Sequence, residues 1–175
     1  QTVTPIWNPQ ACTPKQDIIE GKYLQAELAL DLHTIAEGTA KPPYNTPETF
    51  FQATHPTTTL KQLLTDTLSH LAGTKTINPI LLFDAGFGGG KTHALLALYH
   101  TFKHGNKIAH LTTVKKILKE SKIQSIPETK VVVFVGEYAD PLKGRTLWGE
   151  IAYQLKSYKL MEDYDKKRVA PGKEL

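Results

Sequence analysis

Residues 85–92 of this 175-residue chain read Ala-Gly-Phe-Gly-Gly-Gly-Lys-Thr, and those residue types at that spacing can hold a phosphate. A loop that wraps an anion must point successive backbone N–H groups inward. Side chains there would block the approach or forbid the dihedral angles, which is why such loops use glycine. Gly86, Gly88, Gly89 and Gly90 meet that need, with Phe87 among them. The stretch follows the phosphate-loop pattern G-x-x-x-x-G-K-[ST], with Ala85 in the first place. In such a loop Lys91 reaches the β- and γ-phosphates. Thr92 sets its hydroxyl on Mg²⁺, an ion that prefers phosphate oxygens plus one or two protein ligands. His93 comes next, either as a polar residue of the first helical turn or as a contact to the third phosphate or the adenine. ATP and Mg²⁺ are the implied ligands.

Hydrolysis asks for more than binding, namely an acidic group at the end of a neighbouring strand that holds the metal and orients water. Glu137 stands two positions beyond the apolar run 131–135, and Gly136 occupies the place where an Asp would be expected. Glu137 reads either as the catalytic, water-orienting base or as a surface carboxylate at a strand end. Asp84 lies just inside the end of the preceding apolar run and reads as support for the loop.

The elements that would position these groups follow from periodicity. Residues 1–17 hold three prolines and no repeat, so they read as an extended lead-in pinned by Trp7. Asp17 can cap a helix carrying Tyr23, Leu24, Leu28, Leu32 and Ile35 at helical spacing, with Gly38 as its terminator. Thr46-Pro47 opens a short helix that buries Phe50 or Phe51. The threonines at 57–59 cap a longer one with Leu60, Leu63, Leu64, Leu68 and Leu71 on its stripe, closed by Gly73. Residues 78–85 and 131–135 are short apolar runs of strand length, as in a parallel sheet buried on both faces. Helices are expected after the glycine loop to Gly105-Asn106 and over 111–122, the latter with Leu111, Val114, Ile117 and Leu118 inward and Lys115, Lys116, Lys119 and Lys122 in water. A last helix near 145–158 should turn Leu147, Trp148, Ile151, Leu155 and Tyr158 to one side. The remaining tail is polar and would be ordered only by docking. This order predicts an α/β fold, a P-loop NTPase-like parallel sheet core flanked by helices with an N-terminal helical extension. The corresponding division is a lead-in and helical segment over 1–73 and a partial nucleotide-binding domain over 74–175.

Bulk properties narrow the class. Hydrophobic residues are 40% and charged residues 22% of the chain, a globular composition. The net charge of +4 is too small to indicate nucleic acid by itself. Cys12 is the only cysteine, so no intramolecular disulfide or cysteine metal framework can form, and the expected location is cytoplasmic. No run approaches a membrane span. The chain starts at Gln1 and stops at Ala-Pro-Gly-Lys-Glu-Leu without a closing element, as a fragment of a longer protein would.

Several blocks together resemble the DUF499 family of AAA-like P-loop ATPases: Pro47-Glu48-Thr49-Phe50-Phe51, Ala85 to His100, Val131 to Gly136, Thr146 to Leu155 and Val169 to Glu174. The resemblance spans most of residues 17–175 and implies the N-terminal portion of a large ATPase, often encoded near DNA methyltransferases and helicases and associated with defence against foreign DNA. It also implies that the acidic Asp-Glu strand follows residue 175, so that 131–135 is a neighbouring core strand and hydrolysis needs the remainder of the longer chain. Family members of this type can assemble into homo-oligomers. Two other functions fit the residues. A small P-loop phosphotransferase fits the length but would need an arginine-rich lid, and the chain has only Arg145 and Arg168. A nucleic-acid-binding or assembly module with a structural loop would use the lysine face of residues 115–122.

Overall fold

The computed structural model describes residues 13–14, 19–21, 31–42, 44–84, 88, 90–140 and 142–169. The chain divides into two units, Gln1–Leu30 and Asp31–Leu175. In the first, the described residues are exposed. Trp7 and the helical stretch expected over 22–30 lie outside the described residues.

Seven helices are described in the second unit: α1 Leu32–Glu37, α2 Pro47–Ala53, α3 Thr58–Leu71, α4 Lys91–His104, α5 Thr112–Ser121, α6 Leu147–Gln154 and α7 Tyr158–Lys167, with short 3-10 turns at Gly105–Ile108 and Gly136–Tyr138. Several start where cap chemistry dictates. The Asp31 carboxylate accepts from His33 N–H, Thr46 Oγ1 from Thr49 N–H, and Thr57 Oγ1 from Leu60 N–H. Because Asp31 is extended and caps α1, no single helix runs through it to Ile35, contrary to the periodicity of residues 23–35. Gly38 ends α1 in the left-handed conformation as expected.

The core is helix against helix. Phe50 and Phe51 of α2, Leu60, Leu64 and Leu68 of α3, Leu96, Ala97 and Phe102 of α4, Ile108, and Val114 and Ile117 of α5 are buried together with Ile126. Helix α3 packs on α4 and α5, and α4 also meets α1 and α2. Each fully buried Leu, Ile or Phe contributes roughly 1.5–3 kcal/mol, so this cluster carries the stability of the unit. Helix α5 turns Val114 and Ile117 inward and its lysines outward, as its stripe requires. The polar tail forms α7, which docks along α6 with Met161 buried. On α6 the buried residues are Gly149 and Ala152, while Leu147 and Trp148 are exposed, so the expected apolar face is rotated.

The parallel sheet is not formed. Among the described residues there is no strand, and 56% of them are helical. The run 79–84 forms no regular element and is open to water, with Ile80 79% and Leu82 90% exposed. A parallel strand needs ladder partners and cover on both faces, and among the described residues the run has neither. In the second run, a side chain takes the place of a ladder partner. Gln154 donates from Nε2 to Val133 O at 2.7 Å and accepts from Val133 N–H at Oε1 over 3.1 Å. Asn106 does the same for Ile126, with Nδ2 to the carbonyl at 3.1 Å and the N–H to Oδ1 at 2.7 Å. A carboxamide offers the same donor and acceptor as a peptide group, so Gln154 holds Val133 inside the run, and Asn106 holds Ile126 ahead of it, as a neighbouring strand would.

Candidate functional site

The glycine loop leads directly into α4. Gly86, Phe87 and Gly89, with Ala85, lie outside the described residues. Gly88 and Gly90 have φ of 79° and 76°, a region that side chains disfavour. A Cβ at either position would meet nothing within 4 Å, so dihedral angle, not crowding, demands glycine here, and the backbone is open to approach.

Gly90 is the N-cap of α4, so no side chain caps the helix, and its first turn holds no acidic residue. The first helical bond runs from Ala94 N–H to Gly90 O at 2.9 Å. The first amides of a helix have no intrahelical acceptor and carry the positive end of its dipole, an arrangement that attracts anions. Lys91 and Thr92 are the first two residues of this helix, and both are partly exposed. The structure therefore places Gly88, Gly90, Lys91 and Thr92 at one helix start.

His93 turns toward α2. Thr54 Oγ1 donates to Phe50 O at 2.6 Å, which leaves the oxygen to accept from His93 Nε2 at 2.9 Å. Seven positions along α4, His100 donates from Nε2 to Tyr44 O at 2.9 Å. The Phe50 ring sits against both imidazoles, 4.7 Å from His93 and 5.1 Å from His100. Two histidines about two turns apart thus hold α4 to segment 44–54, one at each end of it. His100 is fully buried and its Nδ1 has no hydrogen-bond partner.

Burial is the leading reason that His93, His100 and His104 all titrate below the ordinary value of 6.5. For His100 the bond to Tyr44 and the charge of Glu48 oppose it, and His104 adds to it. The unfolded chain therefore takes up protons first as pH falls below 6.5, and stability declines through that interval until the folded histidines protonate in turn. Urea unfolding at pH 7.5 and at pH about 5.5 should show lower stability at the acid pH, and His100→Gln should flatten that slope. The carboxylates held below 3.8 here, Asp31, Asp66, Asp140 and Asp165, act only at lower pH.

Glu137 lies in the 3-10 turn Gly136–Tyr138 and is exposed. Its neighbour Tyr138 donates to Asp31 Oδ2 and stacks on His33 at 4.1 Å. Beside that turn is a cleft of about 890 Å³ lined by His33, Tyr138, Arg145, Glu150 and Asp165 among others, but not by Glu137, Lys91 or Thr92. Several of its polar groups are paired internally. Arg145 bonds Glu150 at 2.6 Å and lies 3.8 Å over the Tyr153 ring, while Arg168 donates to Gly144 O at 2.9 Å. Asp165 accepts from Thr146 N–H, Thr146 Oγ1 and Tyr158 OH, each at 2.7 Å. Burial disfavours its charge, but those bonds and Arg168 outweigh burial and hold its carboxyl low.

Neither the histidine tethers nor the Asp165 cluster was evident from residue order. The only signal was Gly149 inside an otherwise good helix, a sign of close approach. Among the described residues no group of His, Cys, Asp and Glu could hold a metal by itself, and no helix is long and apolar enough to cross a membrane. Residues 12–175 match the family model described as DUF499 N-terminal domain. No curated protein and no solved structure matches the chain.

Proposed function

The chain belongs to the DUF499 N-terminal domain family, and from that premise we propose that its glycine loop and the first turn of α4 bind the phosphates of ATP together with Mg²⁺. One observation carries this reading: directly after the glycine run, α4 starts on a left-handed Gly90, with no side-chain cap and no acidic residue in its first turn. A helix start of that kind favours an anion through its amides and dipole. Lys91 would pair with the β- and γ-phosphates as a compact charge, and the Thr92 hydroxyl would take one position on Mg²⁺, whose remaining ligands are phosphate oxygens and water.

The finer reading rests on the family resemblance. In it, this chain is the ATP-binding portion of a AAA-like ATPase in defence against foreign DNA. Glu137, exposed and outside the cleft, is a poor water-orienting base, so the carboxylates for hydrolysis would come from outside residues 1–175. Isothermal titration of the chain with MgATP tests the binding step. Saturable heat that weakens without Mg²⁺ and vanishes with adenosine is expected. No saturable binding at millimolar MgATP removes the proposal.

A further inference from the structure

The geometry points to Thr54 as a positioning residue for the loop–helix junction, acting through His93. This rests on the phosphate-binding reading above and deepens it.

A helix start that receives an anion faces a conflict. Helix ends fray, and the common remedy is an N-cap side chain that bonds back to an amide of the first turn. Such a cap would order the turn but occupy the N–H groups an anion needs. Gly90 provides no side chain for this. The order comes from elsewhere. His93, the third residue of α4, is anchored by its ring nitrogen to Thr54, a residue from a different helix end and 39 positions earlier. The tether uses a side chain on each side and none of the first-turn amides.

The anchor is well defined at both ends. Thr54 is 6% exposed, and its hydroxyl hydrogen is committed to Phe50 O, so its oxygen can only accept. That selects the His93 tautomer with hydrogen on Nε2, and burial keeps the ring neutral. Phe50 packs against the ring. Successive helical side chains are set about 100° apart, so fixing the direction of residue 93 fixes those of Lys91 and Thr92. Away from bulk water a hydrogen bond of this kind is stronger than at the surface.

Thr54→Val keeps the shape and removes the oxygen, while Thr54→Ser keeps it. Thr54→Val should weaken MgATP binding about tenfold, and Thr54→Ser should restore it to within about twofold. His93→Leu should cost a similar factor, and the Thr54→Val, His93→Leu double variant should lose no more than the worse single one, since one bond is being removed twice. Amide exchange by NMR supplies a readout that needs no ligand: Ala94 and Leu95 should exchange faster in Thr54→Val, with the rest of α4 unchanged. Wild-type affinity and exchange in Thr54→Val would overturn the inference. So would uniform acceleration across α2 and α4, which marks a general loss of stability instead. If the wild-type chain binds no MgATP, the phosphate reading falls, and exchange at Ala94 and Leu95 still decides whether the tether orders the turn.

Discussion

Lys91→Ala is expected to lower MgATP affinity at least a hundredfold while leaving the helical unit folded. The ammonium at the start of α4 would make charge-assisted bonds to phosphate oxygens, each contributing roughly 1.5–3 kcal/mol. Losing two of them is about 3 kcal/mol or more, and each 1.4 kcal/mol is a factor of ten. The backbone amides and the dipole would remain, worth roughly 0.3–1 kcal/mol as a field effect, which is too little to compensate. Lys91 is partly exposed at the first helical position, so the change in unfolding free energy should stay near 0.5 kcal/mol. Lys91→Arg should recover little, because a planar fork does not replace a compact charge in a tight turn. Titration calorimetry with a parallel urea melt checks both halves. Affinity within threefold of wild type would remove Lys91 from the site.

The second large effect is on folding. Gly149→Ala in α6 should destabilise the unit by about 3 kcal/mol, although propensity alone argues the other way. Alanine is favoured over glycine inside a helix by roughly 1 kcal/mol. Here, however, an added Cβ would lie within 2.6 Å of all three carboxyl atoms of Asp165. Relief requires the carboxylate to leave, and with it go three 2.7 Å bonds to Thr146 and Tyr158. Each contributes roughly 1–1.5 kcal/mol, so sterics outweigh propensity. The double variant Gly149→Ala, Asp165→Ala should be less damaged than the two singles summed, because the methyl then occupies space the carboxylate has vacated. A urea midpoint for Gly149→Ala at or above wild type would show that α7 moves aside at no cost.

Several helices were legible because a cap or a stripe works locally, whereas α7 lies in a tail read only as polar. Thr46-Pro47 and Thr57 begin their helices as their chemistry requires, and the stripe of Val114 and Ile117 names its own buried side. The runs 79–84 and 131–135 misled for a definite reason. A short apolar run reports only that its residues are apolar; ladder partners and cover are tertiary facts. The helix that begins at Lys91 was legible because the glycine run marks its start. The Thr54–His93 bond was not, since it depends on α2 meeting α4, and nothing in the order of residues 46–59 announces that. The α6 face was misjudged because large apolar side chains were weighted over Gly149, whose missing side chain makes room for Asp165.

The two carboxamide clamps fix something other than residue identity. Asn106 holds Ile126 and Gln154 holds Val133, and each clamp engages one backbone residue through both its N–H and its C=O. Residues 127–132 therefore bridge two anchored points like a cord cut to measure. Glu128 and Lys130 are exposed, so they can be exchanged freely, whereas adding or removing a residue would shift one anchor relative to the other. In this span length is expected to be constrained more tightly than spelling.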